Sequence, residues 1–215
     1  VGVPVSDMRL WDILICSIWH RQEQLKLLLD ELDRQIQPDV GVLVFCDNLE
    51  TRYGQKCQTL LESSRAHYTC FLDDDDWIAG NYVSAIMQAL EHRPDYVGFW
   101  VRYTEDGVLQ QPVIHSLDCR RWETYPYRIE RDLAHFNPIR RELALMSRWE
   151  GGNGADMRWA NRLRQTGAVR SQVFVDGEPL YHYRHTSLDT FTRSSTRAPL
   201  RDIPPRLDYD FVEWL

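Results

Sequence analysis

Lysine is nearly missing from this 215-residue chain: of its 25 basic side chains only Lys26 and Lys56 are lysines. Cationic recognition therefore falls to arginine, whose planar fork suits phosphate and carboxylate, although a GC-rich genome produces the same bias. No apolar stretch approaches the roughly 20 residues that a membrane-spanning helix needs. Residues 1–7 lack the charged-then-apolar layout of a signal peptide, so a soluble, cytoplasmic protein is expected. The five cysteines are odd in number and show no Cys-x-x-Cys spacing, which leaves neither a zinc framework nor a disulfide scaffold. Cys16, Cys46 and Cys70 sit in apolar runs, where a reduced thiol behaves as a small hydrophobe. Glycine is absent from Ser17-Ile-Trp-His-Arg21, so no Gly-rich phosphate loop follows the first apolar run.

What is present is enough apolar residue, 43%, for one substantial core. The length is short for two, so residues 8–215 are read as one domain. The formal charge of −7 is uneven: residues 1–115 carry 18 acidic and 9 basic side chains, residues 116–215 carry 14 and 16. Short apolar runs at 10–18, 40–46 and 68–72 read as buried strands. Helices are expected between and after them, the first from Leu25, Leu28, Leu29, Leu32 and Ile36 at helical spacing, the others over 54–65 and 82–91. This alternation predicts an open α/β sheet, mainly parallel, with helices on both faces and ligands at the carboxyl ends of the strands. Beyond residue 95 the pattern changes to a hairpin, 96–103 and 108–114 around Thr104-Glu-Asp-Gly107. A short helix after Pro138, a helix from Asp156 and strands at 169–175 and 179–184 follow. The Ser, Thr, Arg and Pro-rich stretch 186–205 reads as a mobile loop or lid, within a C-terminal lid or tail over 186–215.

The run Asp73-Asp74-Asp75-Asp76 closes the third strand. Adjacent carboxylates repel, so gathering them requires a cation or full solvation. On an extended backbone alternate side chains share a face, which aims Asp73 and Asp75 at one point and Asp74 and Asp76 away from it. Hard oxygen ligands in small number suit Mg²⁺ or Mn²⁺ with positions left for phosphate oxygens. The plain alternative is a solvated acidic turn.

Taken in order, a strand ending in Asp47, the Gly54-Gln-Lys56 helix, Phe71-Leu-Asp-Asp-Asp-Asp76, Gly154-Ala-Asp156 and Tyr181-His-Tyr-Arg-His185 resemble the inverting, family 2 glycosyltransferases of the Rossmann-like GT-A fold. The resemblance covers residues 13–187 and implies an open mixed sheet with helices on both faces in a single domain. It implies that Asp73 and Asp75 hold the metal on the diphosphate of a nucleotide-sugar, with Asp73 and Asp74 also placed to touch the donor. Asp47 would face the donor base, where a carboxylate opposite an imide N–H favours uracil or thymine; by itself it reads equally as an Asx turn. Lys56, together with Arg21, Arg184 and Arg193, would face the donor, although Lys56 alone reads as a surface lysine. Asp156 would be the catalytic base, or simply the helix N-cap. Ala155 replaces the acidic residue usual before it. His185 is implied as a metal ligand, with His182 its rival.

The acceptor would lie against Tyr125, Tyr127, Arg128, Trp149 and Gly154, residues that an ordinary core with a solvated Arg face also explains. These readings divide the chain into a donor and metal half (8–115), an acceptor and base half (116–185) and a tail (186–215). The acceptor is expected to be a glycan or small hydroxyl compound, or alternatively a hydroxylated base in modified DNA. A sugar-nucleotide pyrophosphorylase and a non-catalytic sugar-nucleotide-binding module are the rival classes.

Overall fold

The computed structural model describes residues 8–119, 122–186 and 211–214, the last four by backbone alone. In chain order the elements are β1 (Trp11–Ile18), a 3-10 turn (Trp19–Arg21), α1 (Gln22–Gln35), β2 (Val40–Asp47), α2 (Tyr53–Ser63), β3 (Tyr68–Asp73), β4 (Trp77–Ile78) and α3 (Tyr82–Leu90). Then come β5 (Tyr96–Glu105), β6 (Val108–Leu109), β7 (Val113–His115), β8 (Glu123–Thr124), β9 (Ile129–Arg131), β10 (Ile139–Arg140) and α4 (Arg141–Ala144). The remainder comprises α5 (Ala155–Gln165), β11 (Gln172–Val175), β12 (Tyr181–His185) and β13 (Phe211–Trp214).

The strands form one open mixed sheet whose main path runs β13-β2-β1-β3-β10-β5-β7-β9-β8. β1 is parallel to β2 and β3. Beyond β3 the pairing turns mixed, in keeping with the expected open mixed sheet: β10 is antiparallel to β3 and β5, β7 is antiparallel to β5, and β11 and β12 run parallel to β5. The turn Asp106-Gly107 has positive φ at both residues, the backbone that a tight hairpin requires and that Asp-Gly tolerates. The return strand is split into β6 and β7 around Pro112, which has no N–H to give a ladder.

The period-2 alternation of β1 sends Trp11, Ile13 and Ile15 to one face and Leu14 to the other. On the first face they pack with Leu28 and Leu32 of α1 and with Tyr82, Val83, Ile86, Ala89 and Leu90 of α3. On the second, Leu14, Leu43, Phe45 and Phe71 pack with Leu60 and Leu61 of α2, Leu143 of α4, and Trp159 and Leu163 of α5. Each fully buried leucine here contributes about 1.5–3 kcal/mol. Helices thus cover both faces of a single-domain α/β sheet.

The parallel register sets Ile18 beside Asp47 and Cys16 beside Asp73, so β1, β2 and β3 all finish at one edge. Among the described residues, no helix is long and apolar enough to cross a membrane. Arg193 and most of the expected lid lie outside the described residues; 211–214 form an edge strand antiparallel to β2.

Candidate active site

A cavity of about 700 Å³ opens at that carboxyl edge. Ile18, Arg21, Leu49, Thr51, Tyr53 and Lys56 line one flank, on the side of β1 and α2. Val101, Tyr103, Val113, Ile129, Arg131 and Tyr183 line the other, on β5, β7, β9 and β12. Asp73, Asp74 and Asp75 at the end of β3, together with His135 and the Gly154–Asp156 end of α5, complete the wall.

The acidic run does not continue the extended strand. β3 stops at Asp73 and the chain turns, with the amide of Asp76 donating to the Asp73 carbonyl at 3.2 Å. The alternation expected of the four carboxylates is therefore lost: Asp73, Asp74 and Asp75 all reach the cavity and only Asp76 does not. Asp76 is buried, accepting from the Tyr181 hydroxyl (2.6 Å) and the Arg184 amide (2.7 Å). Arg184 itself clamps this turn, its Nε donating to the Asp75 carbonyl at 2.9 Å, and is not a cavity-lining residue.

Electrostatics divide the other three. Burial alone raises the carboxyl of Asp73, but His135, the Tyr53 hydroxyl and Arg21 outweigh it, and the net position is below the ordinary range. Asp74 is raised chiefly by burial, although Ser17 (2.6 Å) and Arg21 Nη1 (2.8 Å) both donate to it. Asp75 is pushed up to about 6, by burial first and then by the charge of Asp73. Arg21 Nη1 stands 3.0 Å from it, and its side chain remains 34% exposed. Burial and the charge of Asp73 outweigh Arg21 at this carboxylate, and a divalent cation beside it would offset both. Among the described residues no three His, Cys, Asp or Glu groups converge as a protein-only cage. Asp75 with Asp73 could give Mg²⁺ or Mn²⁺ one or two carboxylate oxygens, the other ligands coming from outside the protein.

Asp156 stands half-buried in the first turn of α5 after Gly154, whose φ of +70° is the left-handed backbone glycine adopts without strain. Its carboxylate makes no hydrogen bond or ion pair among the described residues, so it is not the N-cap; that position is Gly154.

Of the other expected residues, Lys56 reaches the cavity flank and the rest lie away from it. Lys56 is 3% exposed rather than a surface lysine, donating to the Ser17 carbonyl at 2.8 Å and ion-pairing with Asp47. Asp47 closes an Asx-type turn, accepting from the amides of Leu49 (3.0 Å) and Thr51 (2.8 Å), and does not line the cavity. His185 stands at the end of β12 beside Glu105, at 3.8 Å and away from the cavity wall, while His182 pairs with Thr104. Trp149 is core, stacked on Trp159 at 4.9 Å and 2% exposed. Tyr125, Tyr127 and Arg128 lie on the exposed turn between β8 and β9, outside the cavity, Tyr127 being 87% exposed.

The residue that sequence reasoning missed is His135. Its Nε2 lies 3.2 Å from Asp73 Oδ2, and burial, which would lower its basicity, is outweighed by Asp73, with Asp156 and Asp76 adding to the rise. A lone histidine inside the apolar Leu133-Ala-His-Phe136 carries no spacing signal of its own.

An open mixed sheet with an acidic run at the carboxyl edge of its parallel half defines a GT-A-type α/β fold. Solved structures of TarS from S. aureus share it. The 1–349 fragment superposes with a TM-score of 0.62 at 13% identity, covering 82% of this chain and 60% of that one. Its complex with UDP-GlcNAc gives 0.61 at 13% identity (82% and 58%), and its complex with UDP gives 0.59 at 12% identity (82% and 60%). The present chain spans about three fifths of the length of that fragment. No protein-family model and no curated protein sequence matches.

Proposed function

We propose that this protein is an inverting glycosyltransferase that moves a sugar from a nucleoside-diphosphate donor, UDP-linked, to an acceptor hydroxyl. The observation that carries this reading is the convergence of Asp73, Asp75 and the unpaired Asp156 on one cavity. The shared fold with a protein crystallised with UDP-GlcNAc and with UDP supports it.

In this reading the donor lies toward Ile18, Arg21, Thr51 and Lys56, and the acceptor toward β5 and β12. Asp75 with Asp73 would hold Mn²⁺ or Mg²⁺, which when bound supplies Lewis-acid neutralisation of the departing diphosphate. Arg21, already between Asp74 and Asp75, adds a fixed positive charge beside the same leaving group. The carboxylate of Asp156 takes the proton of the acceptor hydroxyl as that oxygen bonds to the anomeric carbon. The anomeric C–O bond to the diphosphate breaks at the same time, its electron pair leaves with the diphosphate, and configuration inverts. Asp156 is suited to this because no neighbour claims its lone pairs.

The test is release of nucleoside diphosphate from UDP-, GDP- and TDP-sugars with Mn²⁺, with and without hydroxyl acceptors, for the parent protein and Asp156→Asn. The variant should lose transfer and keep donor binding. Unchanged turnover removes Asp156 from the mechanism, and absence of any sugar-nucleotide binding ends the proposal.

A further inference from the structure

The flank of the cavity on β5, β7, β9 and β12 differs in chemistry from the acidic centre. Val101, Val113 and Leu133 are buried apolar side chains of its wall, and Ile129 joins them. Tyr103 and Tyr183 are cross-strand partners on β5 and β12, and their rings stack with centroids 5.4 Å apart and planes 24° apart. Trp122 turns its indole N–H to Asp132 Oδ1 at 2.9 Å, which leaves the ring face not covered by Arg131 as a flat apolar surface. His115 is committed to the Asp132 carbonyl at 3.1 Å. The polar groups that this arm itself offers a ligand are Tyr103, Tyr183 and Arg131, with Asn153, Asp156 and His135 on the shared cavity wall.

Arg131 is unusual among its neighbours. Arg128 pairs with Glu130 and Arg164 with Asp132. Arg131 instead lies over the Trp122 ring at 4.6 Å and donates Nη1 to the carbonyls of Glu130 (2.8 Å) and Glu123 (3.3 Å). Among the described residues no carboxylate is within ion-pair distance of it, and burial makes its charge costlier to hold. Asp132 is the nearby carboxylate that favours its charge, but that group pairs with Arg164, so the guanidinium at the cavity wall keeps capacity for an anion.

We propose that this arm seats an acceptor built as a flat aromatic ring with a hydroxyl substituent and an anionic group, the ring against Tyr103, Tyr183 and Trp122 and the anion on Arg131. The inference rests on the transferase reading of the cavity and specifies its acceptor class. A sugar ring brings a hydroxyl on most carbons, and each one buried without a partner costs about 1–3 kcal/mol. The side chains of Val101, Val113, Leu133 and Ile129 offer such hydroxyls no partner. An aromatic ring presents two apolar faces to the valine, leucine and tyrosine walls, where ring stacking is favourable.

The test is direct ligand binding by calorimetry to the whole chain, with no turnover required. The probes are 4-(hydroxymethyl)benzoate, the uncharged 4-(hydroxymethyl)benzamide and methyl glucoside, with UDP plus Mn²⁺ titrated in parallel. The benzoate is expected to bind about tenfold or more tighter than the benzamide, as a charge-assisted bond to Arg131 requires, and the glucoside weaker than both. Arg131→Gln should erase the benzoate preference while UDP affinity stays unchanged; Arg131→Lys, which keeps the charge, should retain part of it and serves if the Gln variant does not fold. 5-Hydroxymethyl-dUMP offers the same ring, hydroxyl and anion, and its affinity relative to the benzoate tells a nucleotide acceptor from a small aromatic acid. Equal binding of benzoate and benzamide, a preference that survives Arg131→Gln, or UDP binding with no benzoate binding overturns the inference. Benzoate discrimination without UDP binding would instead sink the donor reading and leave this subsite standing.

Discussion

His135 Nε2 and Asp73 Oδ2 stand 3.2 Å apart, and the Tyr53 hydroxyl reaches the other carboxylate oxygen at 3.3 Å. Three segments distant in sequence thus fix one side chain at the cavity wall. The charges also support each other: His135 holds Asp73 below the ordinary carboxylate range, and Asp73 raises His135. Replacing His135 by Leu leaves burial to dominate at Asp73. We expect UDP binding in the presence of Mn²⁺ to weaken by about 10–100-fold, the usual effect of losing a partner that orients a ligating group. His135→Gln keeps a donor near the same place and should lose much less. Equal affinity of the Leu variant and the parent would show that His135 does not position Asp73.

Lys56 and Asp47 form a buried ion pair that ties α2 to the end of β2, with the ammonium also bonded to the Ser17 carbonyl of β1. Deleting one partner strands the other charge out of water. Lys56→Met should therefore cost about 3–5 kcal/mol, read from urea denaturation. Adding Asp47→Asn removes the stranded charge and keeps an acceptor for the amides of Leu49 and Thr51. The double variant is expected to recover a substantial part of the loss. A double variant no more stable than Lys56→Met would mean that the pair contributes through packing alone.

The parts of this architecture that follow from local periodicity were legible. β1, β2 and β3 lie where the apolar runs place them, and α1 buries the Leu28 and Leu32 stripe. The cavity follows from the parallel register that brings these strand ends together. The side-chain directions were not legible, because they are set where regular backbone ends. The alternation rule holds for Tyr68–Asp73 and fails at the turn that follows. Lys56 reads as a surface residue until Asp47 and the Ser17 carbonyl are brought over it from two other elements. Trp149 and Tyr127 are both aromatic and near the second half of the site in sequence, yet one is core and the other faces solvent. Only the packing of Trp149 between Phe71 and Trp159 separates them.

His115 sets a pH dependence on the acid side. Burial lowers its basicity to about 3, outweighing the bond of Nδ1 to the Asp132 carbonyl that favours the charged form, so the folded protein keeps it neutral. The unfolded chain takes up a proton near the ordinary value of about 6.5. Between these values the unfolded state binds the extra proton, so this group's contribution to stability falls as pH drops from about 6.5 toward 3. The slope is at most about 1.4 kcal/mol for each pH unit. His115→Asn retains an N–H for the carbonyl and has nothing to titrate. Its urea midpoint should fall less steeply than that of the parent between pH 7 and 5, whatever its stability at pH 7. Parallel slopes would assign the acid sensitivity to other groups.

Gly54 is where the donor side of the cavity meets the loop that carries Asp156. Its amide donates to the Gly151 carbonyl at 2.9 Å, and a methyl group at its Cα would stand 2.8 Å from both the Gly151 oxygen and the Glu150 carbonyl carbon. These are backbone atoms, which cannot swing aside as a flexible side chain would. Gly54→Ala must therefore push α2 and residues 150–154 apart. Its helical position otherwise favours alanine by about 1 kcal/mol, so any loss reports the clash and not the propensity. We expect a net destabilisation of about 1–3 kcal/mol, in the range of overpacking elsewhere. We also expect a fall in transfer larger than the fall in UDP affinity, because the loop that moves leads into the first turn of α5, which bears Asp156, while Arg21 and the Asp73–Asp75 turn stand on other segments. A variant with undiminished stability and turnover would show that this backbone approach neither holds α2 nor aims Asp156.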